Sequence, residues 1–175
     1  ADILILGNHG LVVGGEDCAQ ASRLIEEVLI RCKKPPREFH APLNSILTKY
    51  AKKINMRPVK NDIIHALAVD DLANHYCQSG STVLYPDQAV FLGPVLNCRN
   101  VEDYSIIDIL DLPQEYLILK GVGVFISKSS KAGVEEMLTC HAEVLMRINT
   151  GAKLCYLSKE NVRELIDWEP EKYRQ

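Results

Sequence analysis

The 175-residue sequence has little of what marks several large protein classes. Lys and Arg number 20 against 23 Asp and Glu, so the formal net charge is −3 and the basic excess of a nucleic-acid binder is missing. No apolar run approaches the roughly 18–20 residues of a transmembrane helix, and no charged–apolar–small leader opens the chain. We therefore expect no nucleic-acid partner, no membrane partner and a cytoplasmic location.

The six cysteines do not form a Cys-x-x-Cys pair, which argues against a thiolate zinc site. Apolar residues make up 47% of the sequence and charged residues 25%, as in an ordinary globular protein. Because the cysteines are scattered among apolar neighbours, we expect them to be reduced core thiols. They are Cys18, Cys32, Cys77, Cys98, Cys140 and Cys155.

A β-hairpin followed by a helix is predicted at the start of the chain. Two apolar, strand-like runs, residues 3–6 and 11–13, flank the turn signal Gly7-Asn8-His9-Gly10. This pattern places His9 at the tip of the hairpin. Asp17 and Gln20 then form a capping-box pattern before a helix with one apolar stripe.

The middle of the chain is basic and then apolar. Residues 33–60 hold eight of the 20 Lys and Arg residues, and either a phosphate- or partner-binding patch or a solvated linker would explain them. We favour the linker, with a helix possible within residues 42–55. The pattern predicts one helix over residues 62–78 and a short strand over residues 89–92.

The last third of the chain repeats the first. Residues 117–126 match residues 4–13, and residues 142–147 match residues 26–31 after a three-residue slip. This predicts that a strand, glycine turn, strand and helix occur twice. Val122 takes the place of His9 in the second copy, so the turn itself does not require a histidine.

His9 is the strongest candidate for chemistry. A histidine at a glycine-bounded tip suits a metal or a substrate oxygen, although an exposed turn histidine with no function would look the same. His141 lies on the apolar stripe of the predicted last long helix, and we expect it to be a hydrogen-bonded core residue. Gly121-Val122-Gly123 lacks the third glycine of a dinucleotide fingerprint and runs into a strand, which excludes that use.

These segments resemble a known family. Residues 3–32, centred on Asn8-His9-Gly10, resemble the late part of class II aldolase/adducin domains. Residues 63–175 resemble the C-terminal half of longer members, akin to the aldolase part of bacterial rhamnulose-phosphate aldolase/dehydrogenase proteins. The segments that carry the second resemblance are residues 85–94, residues 120–125 and Ile166-Asp167-Trp168-Glu169-Pro170.

The resemblance implies an α/β fold, with a layered, mostly antiparallel sheet and helices packed on it. Residues 1–34 would complete a class II aldolase-type domain, and residues 35–60 would form the basic connector. Residues 61–175 would be a related C-terminal domain that lacks the metal histidine.

The resemblance also implies a divalent metal, usually zinc, held by three histidines. Two of them come from a His-x-His pair, and the third maps to His9, while Asn8 and Gly10 shape its turn. The family's reaction is the reversible aldol cleavage of a sugar phosphate or a related hydroxy-carbonyl substrate. The metal stabilises the charge of the enediolate as a Lewis acid.

This sequence departs from the family in two respects. It contains no His-x-His pair, and none of its residues maps to the family's catalytic acid or base. We therefore expect a fragment of a metal-dependent aldehyde-lyase, inactive as the isolated chain. The alternative is a non-catalytic, adducin-like scaffold or interaction domain. A first strand without its neighbours would expose an apolar edge, so we also expect a homo-oligomer.

Overall fold

The computed structural model describes residues 2–80, 83–101, 115–131 and 133–168, and these form a mixed α/β protein. None of the helices found in these ranges combines the length and the apolar character needed to cross a bilayer. The elements, in chain order, are β1 (Ile3–Leu6), β2 (Gly10–Val13), α1 (Cys18–Cys32), α2 (Asn44–Ile54), β3 (Arg57–Pro58), α3 (Asp62–Val69), α4 (Asp71–Gln78), a π-helix (Gln88–Leu92), β4 (Cys98–Asn100), β5 (Tyr116–Lys120), β6 (Gly123–Ile126), α5 (Val134–Leu145) and α6 (Lys159–Asp167).

The first unit consists of the antiparallel hairpin β1–β2 and helix α1. Asp17 caps α1 by accepting a hydrogen bond from the Gln20 backbone at 2.7 Å, and the Gln20 side chain accepts one from the Glu16 backbone. The apolar stripe predicted for α1 is present, yet no residue of this helix is buried. Only β2 packs closely against α1 among the described elements, so much of the stripe faces outward.

The second unit is built on a four-stranded sheet in the order β3–β6–β5–β4. β6 is antiparallel to both of its neighbours, and β4 is parallel to β5. Strand alternation divides the side chains between two cores. Leu117, Leu119 and Phe125 pack with α2, whereas Ile118 and Val124 share a core with α3, α4 and α5.

The basic segment at residues 35–60 belongs to this second unit rather than forming only a solvated linker. In α2, Leu47, Ala51 and Ile54 recur at helical spacing and are buried against the sheet. Pro58 of β3 pairs with Phe125 of β6. Because β3 has no second neighbour in the sheet order, it is an edge strand. The helix predicted within residues 42–55 is therefore present, and its lysines lie outside the buried stripe.

Residues 62–78 form two helices, so the prediction of a single helix was wrong. Asp70 interrupts the run with extended backbone angles, φ −85° and ψ 121°. Its carboxylate accepts a hydrogen bond from the Ala73 backbone at 2.8 Å and so caps α4. The carboxylate also accepts two hydrogen bonds from the Arg37 guanidinium, at 2.5 and 3.2 Å. This distant partner stabilises a break that helical periodicity does not reveal.

The strand predicted at residues 89–92 was also wrong, because Gln88–Leu92 is a π-helix. Four of its five residues are buried, and a fully buried short run has no periodicity that separates strand from helix. Gly93 ends the element at φ +85°, a conformation that favours glycine.

The two hairpins have the same turn geometry. Leu6 pairs with Gly10 in the first and Leu119 with Gly123 in the second, and each turn is closed by one backbone hydrogen bond to the leucine carbonyl. Asn8 has φ +57° and its counterpart Gly121 has φ +73°. The two turns therefore share their pairing, their closing hydrogen bond and their positive φ.

All six cysteines are free thiols, but the prediction that they are core residues holds fully for Cys77 alone. Cys98 is half-buried, and the other four are exposed. Cys18 and Cys32 stand at the two ends of α1, whose apolar stripe is uncovered, so their exposure follows from that of the helix.

Candidate functional site

The tip of the first hairpin is attached to the second unit by the Asn8 side chain. The Asn8 amide nitrogen donates to the carbonyl of Leu84 at 2.8 Å and to the carbonyl of Cys155 at 2.6 Å. These two acceptors lie on adjacent segments, since the Leu157 backbone donates to the carbonyl of Val83 at 2.9 Å. Asn8 therefore adopts the left-handed conformation of the turn and also joins the turn to its neighbour.

The docked tip lines one part of an open cavity of about 870 Å³ between the two units. Asn8, His9 and Gly10, the three candidate residues, all line it. The His9 side chain is exposed and has no hydrogen-bond or ion-pair partner within the described ranges. An imidazole with this freedom is available to a ligand on either ring nitrogen.

Tyr85 also lines the cavity, and it is held by a buried histidine. The Tyr85 hydroxyl lies 3.1 Å from Nδ1 of His141, whose side chain is only 2% exposed. Burial lowers the pKa of His141 to about 4, so its ring is neutral near pH 7. Burial, followed by the neighbouring Cys140 thiol, raises the pKa of Tyr85, which therefore remains a neutral phenol. This pair bears out the prediction that His141 is a hydrogen-bonded core residue.

Three further residues of the lining are charged or aromatic: Asp87, Lys153 and Trp168. Lys153 is exposed and forms no ion pair in the described part of the chain. Trp168 follows α6 and is 57% exposed. No motif or spacing in the sequence singles out these residues. The only signal was that two of them fall in the segments that carry the family resemblance. Glu169 and Pro170, which close the last of those segments, lie outside the described residues.

None of the other four histidines lines this cavity. His65 is buried, and its Nδ1 accepts a hydrogen bond from the Val124 backbone at 3.0 Å. His141 is held by Tyr85, while His40 and His75 are exposed elsewhere. Among the described residues, no three His, Cys, Asp or Glu side chains are grouped so as to hold a metal ion.

A metal bound at this cavity would find one histidine among the described residues, the unpartnered imidazole of His9. In comparisons with protein-family models, curated proteins and solved structures, nothing matched the chain.

Proposed function

We propose that this chain is part of a metal-dependent aldehyde-lyase that cleaves a sugar phosphate by a reversible aldol reaction. The observation that carries the proposal is that His9 stands unpartnered on the wall of a cavity large enough for a small substrate. The resemblance to class II aldolases around Asn8-His9-Gly10 supplies the reaction.

His9 would be one of three imidazole ligands of a divalent metal, most simply zinc. The other two would come from polypeptide outside these 175 residues, because no second histidine lines the cavity. When bound, the metal supplies Lewis-acid stabilisation of an enediolate. Asn8 and Gly10 hold the turn that aims His9, and Tyr85, as a neutral phenol, can only donate or accept hydrogen bonds there.

Metal content tests this proposal. The product of the complete reading frame should contain about one zinc or similar ion per chain, and the His9→Ala variant should lose it. His40→Ala is the matched control, because His40 is exposed and lies outside the cavity. Equal metal in the His9→Ala protein, measured by elemental analysis, would refute the assignment.

The 175-residue chain alone should not cleave ketose phosphates, since one imidazole does not make a catalytic zinc site. A coupled assay for the released aldehyde measures this. Turnover that persists in the presence of a chelator would contradict the metal-based mechanism.

The second candidate function is a non-catalytic, adducin-like scaffold. The observation that favours it is the apolar surface of the first unit, where Ile5 and Ile30 are each 75% exposed. A His-x-His pair in the complete reading frame would favour the lyase, and its absence would favour the scaffold. Either function is compatible with a homo-oligomer, which this surface also supports.

We further propose that the second unit is a related copy of the first that has lost the metal histidine. The matching turn geometries support this, as does Val122 at the position of His9. The helices agree as well. The starts of α1 at Cys18 and of α5 at Val134 keep the same three-residue slip between the hairpin alignment and the helix alignment.

A further inference from the structure

We propose that the second unit recognises the substrate, with Lys153 binding its phosphate and the indole of Trp168 packing on its carbon chain. This inference rests on the proposed function, and it gives the unit without a metal histidine a part in the same site. The supporting observation is that one lysine, one carboxylate and one exposed indole line the same cavity as His9: Lys153, Asp87 and Trp168.

Lys153 supplies the positive charge. It lines the cavity, its side chain is exposed, and no carboxylate among the described residues pairs with it. A lysine without an ion-pair partner keeps all three ammonium protons available to an anion. A phosphate ester is the anion that the proposed reaction provides, and its hydrogen bonds with an ammonium group are charge-assisted.

Trp168 supplies an apolar face. A tryptophan that is 57% exposed leaves much of its indole open to solvent, and Trp168 lies where the main cavity meets a shallower one lined by Pro86 and Leu165. The C–H groups of a sugar carbon chain can pack on such a ring while its hydroxyls point elsewhere. Asp87 also lines the cavity, and a carboxylate has lone pairs enough to accept a further hydrogen bond from such a hydroxyl.

The alternative view of Lys153 and Trp168 is that both are ordinary surface residues. Their joint presence in the lining of the cavity that contains His9 favours recognition. The distinction can be measured, because Trp168 is the only tryptophan in the sequence and its fluorescence reports on this cavity alone.

The test is a fluorescence titration of the 175-residue chain with D-fructose 1-phosphate in the presence of a chelator. We expect a saturable change in Trp168 emission, and Lys153→Gln should raise the dissociation constant at least about tenfold, which corresponds to about 1.4 kcal/mol. Lys153→Arg should largely restore binding. Lys159→Gln is the matched control, because Lys159 is exposed on α6 but does not line the cavity.

Two further ligands separate the two contacts. Fructose should bind more weakly than its phosphate and should be indifferent to Lys153→Gln, whereas inorganic phosphate should be sensitive to that substitution. Calorimetry replaces fluorescence for Trp168→Leu, which should weaken binding of the sugar phosphate without affecting inorganic phosphate.

The absence of a saturable signal, or equal effects of Lys153→Gln and Lys159→Gln, would overturn the inference. Because the titration contains no metal, such a failure would leave the metal content of the complete protein unaffected. Conversely, the metal content of His9→Ala tests the proposed function alone, because that measurement needs no sugar phosphate.

Discussion

At the scale of single residues, Asn8 links the two units through both its backbone and its side chain. Asn8→Gly keeps the φ of +57° accessible but removes the hydrogen bonds to Leu84 and Cys155, and we expect a cost of about 1 kcal/mol in docking of the tip. Asn8→Ala adds backbone strain and should cost about 2 kcal/mol. Hydrogen exchange of the β1 and β2 amides measures both. Equal protection in wild type and both variants would show that the tip does not depend on Asn8.

Gly123 is constrained more strongly than its neighbour Gly121. A Cβ at Gly123 would lie 2.6 Å from Cδ2 of Leu47 and 3.0 Å from Nδ1 of His65, whereas a Cβ at Gly121 would meet nothing within 4 Å. Both residues have positive φ, so both substitutions carry strain. We expect Gly121→Ala to cost about 1 kcal/mol of unfolding free energy and Gly123→Ala about 3 kcal/mol. Urea denaturation distinguishes them, and equal losses would contradict the steric argument.

At the scale of elements, the junction between α3 and α4 depends on Asp70 and Arg37. Arg37 also donates to the carbonyls of Leu145 and Ile148, so this contact joins three parts of the second unit. Asp70→Asn removes the charge but leaves a capping side chain, and it should cost about 1 kcal/mol. Asp70→Ala also removes the cap and should cost about 2 kcal/mol. Thermal unfolding that ranks the variants in the opposite order would argue against the cap.

The same junction predicts a pH dependence. Burial alone raises the pKa of Asp70, but hydrogen bonds from Arg37 and from the Ala73 backbone outweigh it, so the pKa lies below its ordinary value of 3.8. The resulting stability is fully present above pH 3.8 and is lost as the pH falls through the lowered pKa. The difference in unfolding free energy between wild type and Asp70→Asn should therefore shrink in strong acid. A difference that is constant with pH would contradict the ion pair.

The sequence correctly predicted the elements that are determined by residues close together along the chain. The glycine turn with His9 at its tip, the capped start of α1 and the buried stripe of α5 all depend on residues close together in the sequence. The break at Asp70 did not emerge, because its partner Arg37 lies 33 residues away. The cavity wall was missed for the same reason, since Asn8 contacts carbonyls 76 and 147 residues further along the chain.

At the scale of the whole molecule, the two units differ most in what covers them. Ile5 is 75% exposed, whereas Ile118, its counterpart by hairpin register, is fully buried. Leu29 is 63% exposed, whereas Leu145, its counterpart in the helix alignment, is fully buried. In the second unit, strands β3 and β4 flank the hairpin, and α2 and α3 cover its faces. Among the described elements, no further strand flanks β1 and β2, and no helices equivalent to α2 and α3 cover them.

This exposure predicts self-association of the isolated chain. Ile5→Lys places a charge in the uncovered hairpin and should lower the association constant about tenfold or more, because burying one isoleucine contributes about 1.5–3 kcal/mol. Val95→Lys is the matched control, since Val95 is 57% exposed outside the first unit. Light scattering as a function of concentration measures both. A wild-type chain that stays monomeric would refute the prediction.

The shared turn geometry has a consequence for how such a protein diverges. The same turn backbone carries His9 in the first hairpin and Val122 in the second. A substitution at this position can therefore leave the fold unchanged. Such a substitution is decoupled from the architecture, so the tip can vary among descendants of one gene while the turn persists.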